Sequence, residues 1–380
     1  MGQIAVLGGG FGGVAAANHL RSALGPDDEV VLVDRQGHFQ MGFAKLWDLA
    51  GMRPLADGTR SLSDLQAKGI RYLQAAVTSI DPATRAVTTD VGDLAPDAVL
   101  IALGARPAPA HRAWLDGPDA HDLYDAAALP AMRDALANIT TGRVVIAILG
   151  GPFKCPPAPY EAALIVDQLL RQRGVREHVD VTVTTPQPMT LPVAGVDASR
   201  YVADHLGDHD VELRSGHRVV DVRDHRVSFA DDADDLAFDL LLGVPADAPL
   251  ELLSTPELAG LSGWLEPDPA TLRLPYDRVV AVGDCTRIPT PTAQLPHAGV
   301  FAAAQAEVAA GNLVADLIGG SEQRFDGHGY CFLELPEERV AFVEGNFYAD
   351  PPDVTLTPAD REQFRRKQRY ERDHLDAWFG

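Results

Sequence analysis

Short apolar runs alternate with amphipathic stretches from the start of the chain. Gln3–Leu7 reads as a buried strand, and Phe11 to about Leu24 as a helix carrying Ala15, Ala16, Ala17 and Leu20. Glu29–Asp34 (EVVLVD) follows as a second buried strand. A strand–helix–strand opening of this kind predicts an α/β chain, a parallel sheet with helices on both faces. Ala98–Gly104 (AVLIALG) reads as a further strand ending on glycine. Val144–Leu149 opens a second unit, with a helix over about Tyr160–Arg173 and a strand at Val179–Thr184. Later strands are predicted at Leu241–Pro245 and Val279–Gly283, then an alanine-rich helix from Gly299 to about Ile318. Short strands around Cys331–Leu335 and Val340–Gly345 precede a charged terminal helix.

Composition narrows the functional classes. The 380 residues suffice for two or three domains, and 46% hydrophobic content excludes a disordered or fibrous chain. A formal charge of −22 repels phosphate backbones, so no nucleic-acid partner is expected. No apolar run reaches the ~18–20 residues of a spanning helix. The first strand starts almost at Met1, which leaves no room for a signal peptide and points to the cytoplasm. Three cysteines, Cys155, Cys285 and Cys331, are too few for a secreted disulfide scaffold and have no metal-knuckle spacing, so no metal is expected.

Two loops carry the candidate chemistry. Gly8, Gly10 and Gly13 form G-x-G-x-x-G between the first strand and helix, where a tight turn, a close pyrophosphate and close helix–strand packing each need glycine. The helix N-terminus offers free N–H groups to phosphates, and Asp34 ends the next strand, where an acid binds a ribose hydroxyl. At the matching place in the second unit the chain reads Leu149-Gly150-Gly151-Pro152-Phe153-Lys154-Cys155-Pro156-Pro157-Ala158-Pro159-Tyr160-Glu161. Four prolines remove backbone donors there, so NAD(P)H binding is not expected.

The strand ending in Gly283-Asp284, followed by Leu295-Pro296-His297-Ala298-Gly299 at a helix start, resembles the FAD-dependent pyridine nucleotide–disulfide oxidoreductase superfamily. Within it, Pro152–Glu161 and Gly329-Tyr330-Cys331-Phe332 resemble the sulfide:quinone oxidoreductase and flavocytochrome c sulfide dehydrogenase group. The resemblance implies two Rossmann-like dinucleotide-binding domains, the FAD domain (1–105 and 270–318) being split by the second (106–269), with a C-terminal interface region (319–380). It implies non-covalent FAD held by Gly8, Gly10, Phe11, Gly12, Gly13, Asp34, Arg35, Ala102, Gly104, Gly283, Asp284, His297, Ala298 and Gly299. It further implies a Cys155–Cys331 redox pair that takes sulfur from sulfide or a persulfide and passes two electrons to FAD, then to a quinone or another acceptor. Glu161 is the implied proton acceptor, a role that needs a raised pKa.

The residues themselves leave other readings open. Cys155 and Cys331 read equally as buried core thiols, Glu161 as a helix N-terminal acid, and His297 as a satisfied helix-start residue. The third cysteine usual in the quinone-reducing branch is missing before Cys155, and Cys285 faces either the FAD or the core. In the tail, residues 361–373 hold six basic and three acidic side chains. Phe364, Leu375, Trp378 and Phe379 either touch a lipid interface, as a peripheral contact on the inner face of a membrane, or pack on the chain or a homodimer mate. The rival activities are a type II NADH:quinone oxidoreductase and an FAD-binding protein without turnover.

Overall fold

In the computed structural model, which describes residues 2–230, 233–291 and 293–380, the opening strand–helix–strand unit seeds a five-stranded parallel sheet. Its strands lie in the order Val279–Ala281, Ala98–Ile101, Gln3–Leu7, Glu29–Asp34, Ile70–Gln74. Ile4–Leu7, Val30–Val33 and Ala98–Ile101 are wholly buried, as both-face coverage of a parallel sheet requires. The helices Phe11–Ala23 and Gly299–Ile318 pack against each other over this sheet through small alanines. The predicted strands stop earlier than expected, at Ile101 and Ala281; beyond Ala281, Gly283 takes a positive φ of 73° and opens a 3-10 turn over Gly283–Cys285.

A second five-stranded parallel sheet lies between those returns. Its order is Ala120–Asp122, Leu240–Val244, Gly142–Ile148, Val179–Thr185, Glu212–Ser215, with the Ala158–Gln172 helix buried against it. A third sheet is antiparallel and follows the alanine-rich helix: His328–Leu335, Arg339–Asn346 and Asp353–Asp360. Its last strand is not predicted by the sequence pattern. It carries Pro358, which cannot donate to a ladder and is tolerated because the strand lies at the sheet edge.

The terminal helix, Arg361–Phe379, starts where the Asp360 carboxylate accepts the Gln363 N–H at 2.7 Å. Phe364, Leu375 and Trp378 are buried on the chain itself. Trp378 meets Phe11 and Phe39 edge-on at 5.9 and 5.5 Å. Of the two readings of these side chains, packing on the chain holds for Phe364, Leu375 and Trp378. Its basic island is largely engaged too, Arg365 and Arg369 with Glu362, and Lys367 in the interior. Among the described residues no helix is long and apolar enough to cross a membrane.

Candidate active site

The first glycine loop is shaped by close approach at two positions and by open space at a third. A side chain on Gly8 would sit 2.2 Å from the Ala102 carbonyl oxygen, and one on Gly13 would sit 1.7 Å from that of Gly8. A side chain on Gly10 would meet nothing within 4 Å, and the loop opens there into a cavity of about 270 Å³. Gly10, Phe11, Gly12, Ala102, Gly104, Gly283, Asp284, His297, Ala298 and Gly299 all line that cavity. Asp284 accepts no hydrogen bond from the described residues, and burial holds its carboxyl above the usual range, with His297 and Lys154 pulling the other way. An open backbone cradle, a helix N-terminus at Gly299 and an unpartnered carboxyl fit the pyrophosphate, ring and ribityl hydroxyls of FAD. Asp34 and Arg35 lie outside this cavity; Asp34 accepts the Gly9 and Gln36 N–H groups at 2.5 and 2.6 Å, and Arg35 is exposed.

The proline-filled loop carries the first cysteine into the same cavity. Cys155 has a φ of 51°, a left-handed backbone rare for a residue with a side chain. Neighbours hold it there: the His297 carbonyl accepts the Cys155 N–H at 2.7 Å, the Cys155 carbonyl accepts the Ala158 N–H at 3.0 Å, and Tyr124 Oη donates to that carbonyl at 3.3 Å. Cys331 reaches the cavity from the third sheet. Gly329 permits this, since a side chain there would sit 2.0 Å from the Phe301 ring of the alanine-rich helix. Both sulfurs are thiols in the structure, and each lies within the other's electrostatic reach. Burial pushes Cys155 up to about 12, with Glu161 adding to the rise, and burial raises Cys331 as well. Cys285 is buried in the apolar core of the first sheet, pushed up to about 12 by burial, so of its two readings the core one holds.

Glu161, 1% exposed, stands in the first turn of the Ala158–Gln172 helix and lines the cavity. Its Oε1 accepts the Glu334 N–H at 2.6 Å and lies 3.5 Å from Lys367 Nζ. Lys367, also 1% exposed, donates to Glu334 Oε2 at 2.7 Å, and Trp47 Nε1 donates to the same carboxylate. One cation thus faces two carboxyls in an interior where each unpaired charge is costly. Burial and the Glu334 charge raise Glu161 against the pull of Lys367, whose own pKa the two glutamates raise despite burial. Lys367 thus lies nearer Glu334 than Glu161, and it is Glu161 whose carboxyl burial holds above the usual range.

Lys45, Tyr124 and Asp247 have no motif to announce them, and Asp247 is the partner of the motif residue His297. His297 is buried, its Nδ1 2.8 Å from Asp247 Oδ2 and its Nε2 3.3 Å from the Thr286 carbonyl oxygen. Burial lowers its pKa, but the Asp247 hydrogen bond and the Asp284 charge more than offset that and the net shift is upward. Lys45, from the Ala44–Leu49 helix, donates to the Tyr124 carbonyl at 2.8 Å. Alternation and spacing carry no trace of the Lys45–Tyr124 or His297–Asp247 pairs, whose members lie 79 and 50 residues apart. No cluster of metal ligands occurs among the described residues.

Similar proteins agree with this geometry. Residues 2–309 match the family model described as pyridine nucleotide-disulphide oxidoreductase. The chain is 26% identical to a sulfide-quinone reductase of Aquifex aeolicus, over 94% of this chain and 85% of that protein. It is 23% identical to the mitochondrial sulfide:quinone oxidoreductase of Mus musculus, over 96% of this chain and 82% of that protein. The crystal structure of the sulfide:quinone oxidoreductase of Aquifex aeolicus superposes with a TM-score of 0.88 at 23% identity, covering 100% of this chain and 92% of that one. The NADH-bound NDH2 of Plasmodium falciparum shares the fold at a TM-score of 0.71 and 14% identity, over 90% and 89% of the two chains. With its two parallel sheets, its glycine cradle and four-fifths of its length under one family model, the chain belongs to the pyridine nucleotide-disulphide oxidoreductase family.

Proposed function

We propose that this chain is an FAD-dependent oxidoreductase that oxidises sulfide or a persulfide through Cys155 and Cys331 and delivers two electrons to a quinone. One observation carries the reading: thiols 176 residues apart share a cavity with the glycine cradle and the N-terminus of the Gly299–Ile318 helix. The similarity to sulfide:quinone oxidoreductases over most of the chain supports the substrate pair. Bound FAD supplies a two-electron acceptor beside the pair.

In the oxidised enzyme the two sulfurs form a disulfide. Glu161 takes the proton of the incoming sulfide, whose sulfur bonds to Cys155 as the Cys155–Cys331 bond breaks. Cys155 is left as a persulfide and Cys331 as the released thiolate, so atoms and charge balance before any electron leaves the pair. Asp284 and the helix N-terminus at Gly299 orient the electron acceptor, and His297 holds the Cys155 amide through its carbonyl. Asp34 and Arg35 complete the nucleotide end of the site in this reading.

The test is anaerobic mixing of the purified yellow protein with sulfide, and separately with NADH, while flavin absorbance is followed. Sulfide is expected to bleach the flavin, and Cys155→Ala or Cys331→Ala to abolish the bleaching. Bleaching that survives both substitutions would return the cysteines to the core and defeat the proposal.

A further inference from the structure

The chain contains only four lysines, Lys45, Lys68, Lys154 and Lys367, against 28 arginines. Three of the four, Lys45, Lys154 and Lys367, line the cavity that holds Cys155 and Cys331. Outside this cavity every cation but Lys68 is an arginine; the cavity itself is lined by lysines and no arginine, in a chain of net charge −22. An ammonium differs from a guanidinium in being a compact point charge that can lose its proton when buried. Lys367 is already committed to Glu334 and Glu161. Lys45 has no carboxylate within ion-pair distance among the described residues; its ammonium donates to the Tyr124 carbonyl, and the Tyr124 hydroxyl donates to the Cys155 carbonyl. A half-buried cation on a cavity wall, hydrogen-bonded to a carbonyl and not to a carboxylate, is poised for an anion that forms during turnover.

We propose that Lys45 is the positioning residue whose ammonium offsets the sulfur anion that Cys155 carries after sulfur transfer, with Tyr124 fixing both in one frame. This deepens the sulfide-oxidising reading and rests on it. Because Glu161 has taken the proton of the attacking hydrosulfide, the persulfide on Cys155 is left ionised and a charge of −1 stays against Lys45. The other groups that face Lys45 are Lys154, which opposes its charge, and Asp122 and Asp125, which support it. Glu161 and Arg133 lie on helices packed against its own, and Arg133 is engaged by Asp48. Burial, aided by the Lys154 charge, pulls Lys45 down to about 8, so its charge is present below that pH and is lost above it.

The experiment measures the rate of flavin bleaching by sulfide between pH 6 and 10 in the FAD-loaded wild type, Lys45→Met, Lys45→Arg and Lys68→Met. Independently of the flavin, it measures the rate at which iodoacetamide alkylates Cys155 in the reduced protein, read by peptide mass spectrometry. The wild type is expected to lose rate as pH rises through about 8. Lys45→Met should be at least about tenfold slower at pH 7, with no such limb, and its Cys155 should alkylate several-fold more slowly. Lys45→Arg keeps the charge without the titration, so it should recover the rate and stay level to pH 9. Lys68→Met, outside the cavity, should match the wild type. A Lys45→Met enzyme with the wild-type rate, limb and alkylation would overturn the proposal; so would a Lys45→Arg enzyme as slow as Lys45→Met, which would assign shape rather than charge. Sulfide bleaching that persists in Cys155→Ala would instead sink the underlying reading, whatever Lys45 does.

Discussion

Glu161 and Lys367 are single side chains whose worth depends on each other. Glu161→Gln keeps the acceptance of the Glu334 N–H but cannot take a proton, so sulfide-driven bleaching should slow roughly 10²-fold with little loss of stability. Stopped-flow absorbance with a denaturation curve on the same protein checks both halves. Lys367→Met leaves Glu334 and Glu161 facing each other without a cation, and urea unfolding should register a loss of about 3–5 kcal/mol. At this scale the sequence is legible only where a residue type stands out from its surroundings. Cys155 and Glu161 stand out in a loop whose prolines forbid the usual phosphate cradle, and the structure brings both, with Cys331, to one cavity. Lys45, Tyr124, Asp247, Glu334 and Lys367 do not stand out, because each acquires its meaning from a partner far along the chain.

Among the elements, the terminal helix departs furthest from what its composition implies. Read alone, its basic island and scattered aromatics fit a lipid surface as well as a protein one. The structure decides for protein: the helix lays Trp378 on Phe11, the residue after Gly10 of the glycine loop, and inserts Lys367 between two glutamates. Trp378→Ala should therefore cost about 3 kcal/mol by denaturant unfolding, and should also weaken flavin retention on gel filtration because Phe11 loses its backing. Helices and buried strands with a clear period were legible to within a few residues. The Asp353–Asp360 strand was not, since an exposed edge strand containing proline carries neither a buried face nor a full ladder.

At the scale of the whole molecule, the two parallel sheets follow from two strand–helix–strand openings, but they are not equivalent sites. The first opening ends in a cradle with open space at Gly10. In the second, Pro156 and Pro157 have no N–H to offer, and the face of Gly150 is occupied by His111, 2.8 Å from where a side chain would begin. Millimolar NADH should accordingly leave the flavin absorbance unchanged under anaerobic conditions, even though the fold is shared with an NADH-bound neighbour. The differing shape of the two loops was readable from the sequence because proline acts locally. The joining of the sheets was less so: Val279–Ala281 completes the first sheet only after the second has been laid down, a pairing that no local pattern announces.

Lys367 stands 206 residues after Glu161 and 33 after Glu334, and that order has a consequence for how the protein comes into being. During synthesis Glu161 and Glu334 are made before their cation, and until the terminal helix follows Phe11 has no Trp378 above it. The nascent chain can lay down both parallel sheets and still possess no finished chamber. The chamber is complete only once the Arg361–Phe379 helix has packed across the molecule, so a chain cut before that helix is expected to carry both parallel sheets and no finished chamber.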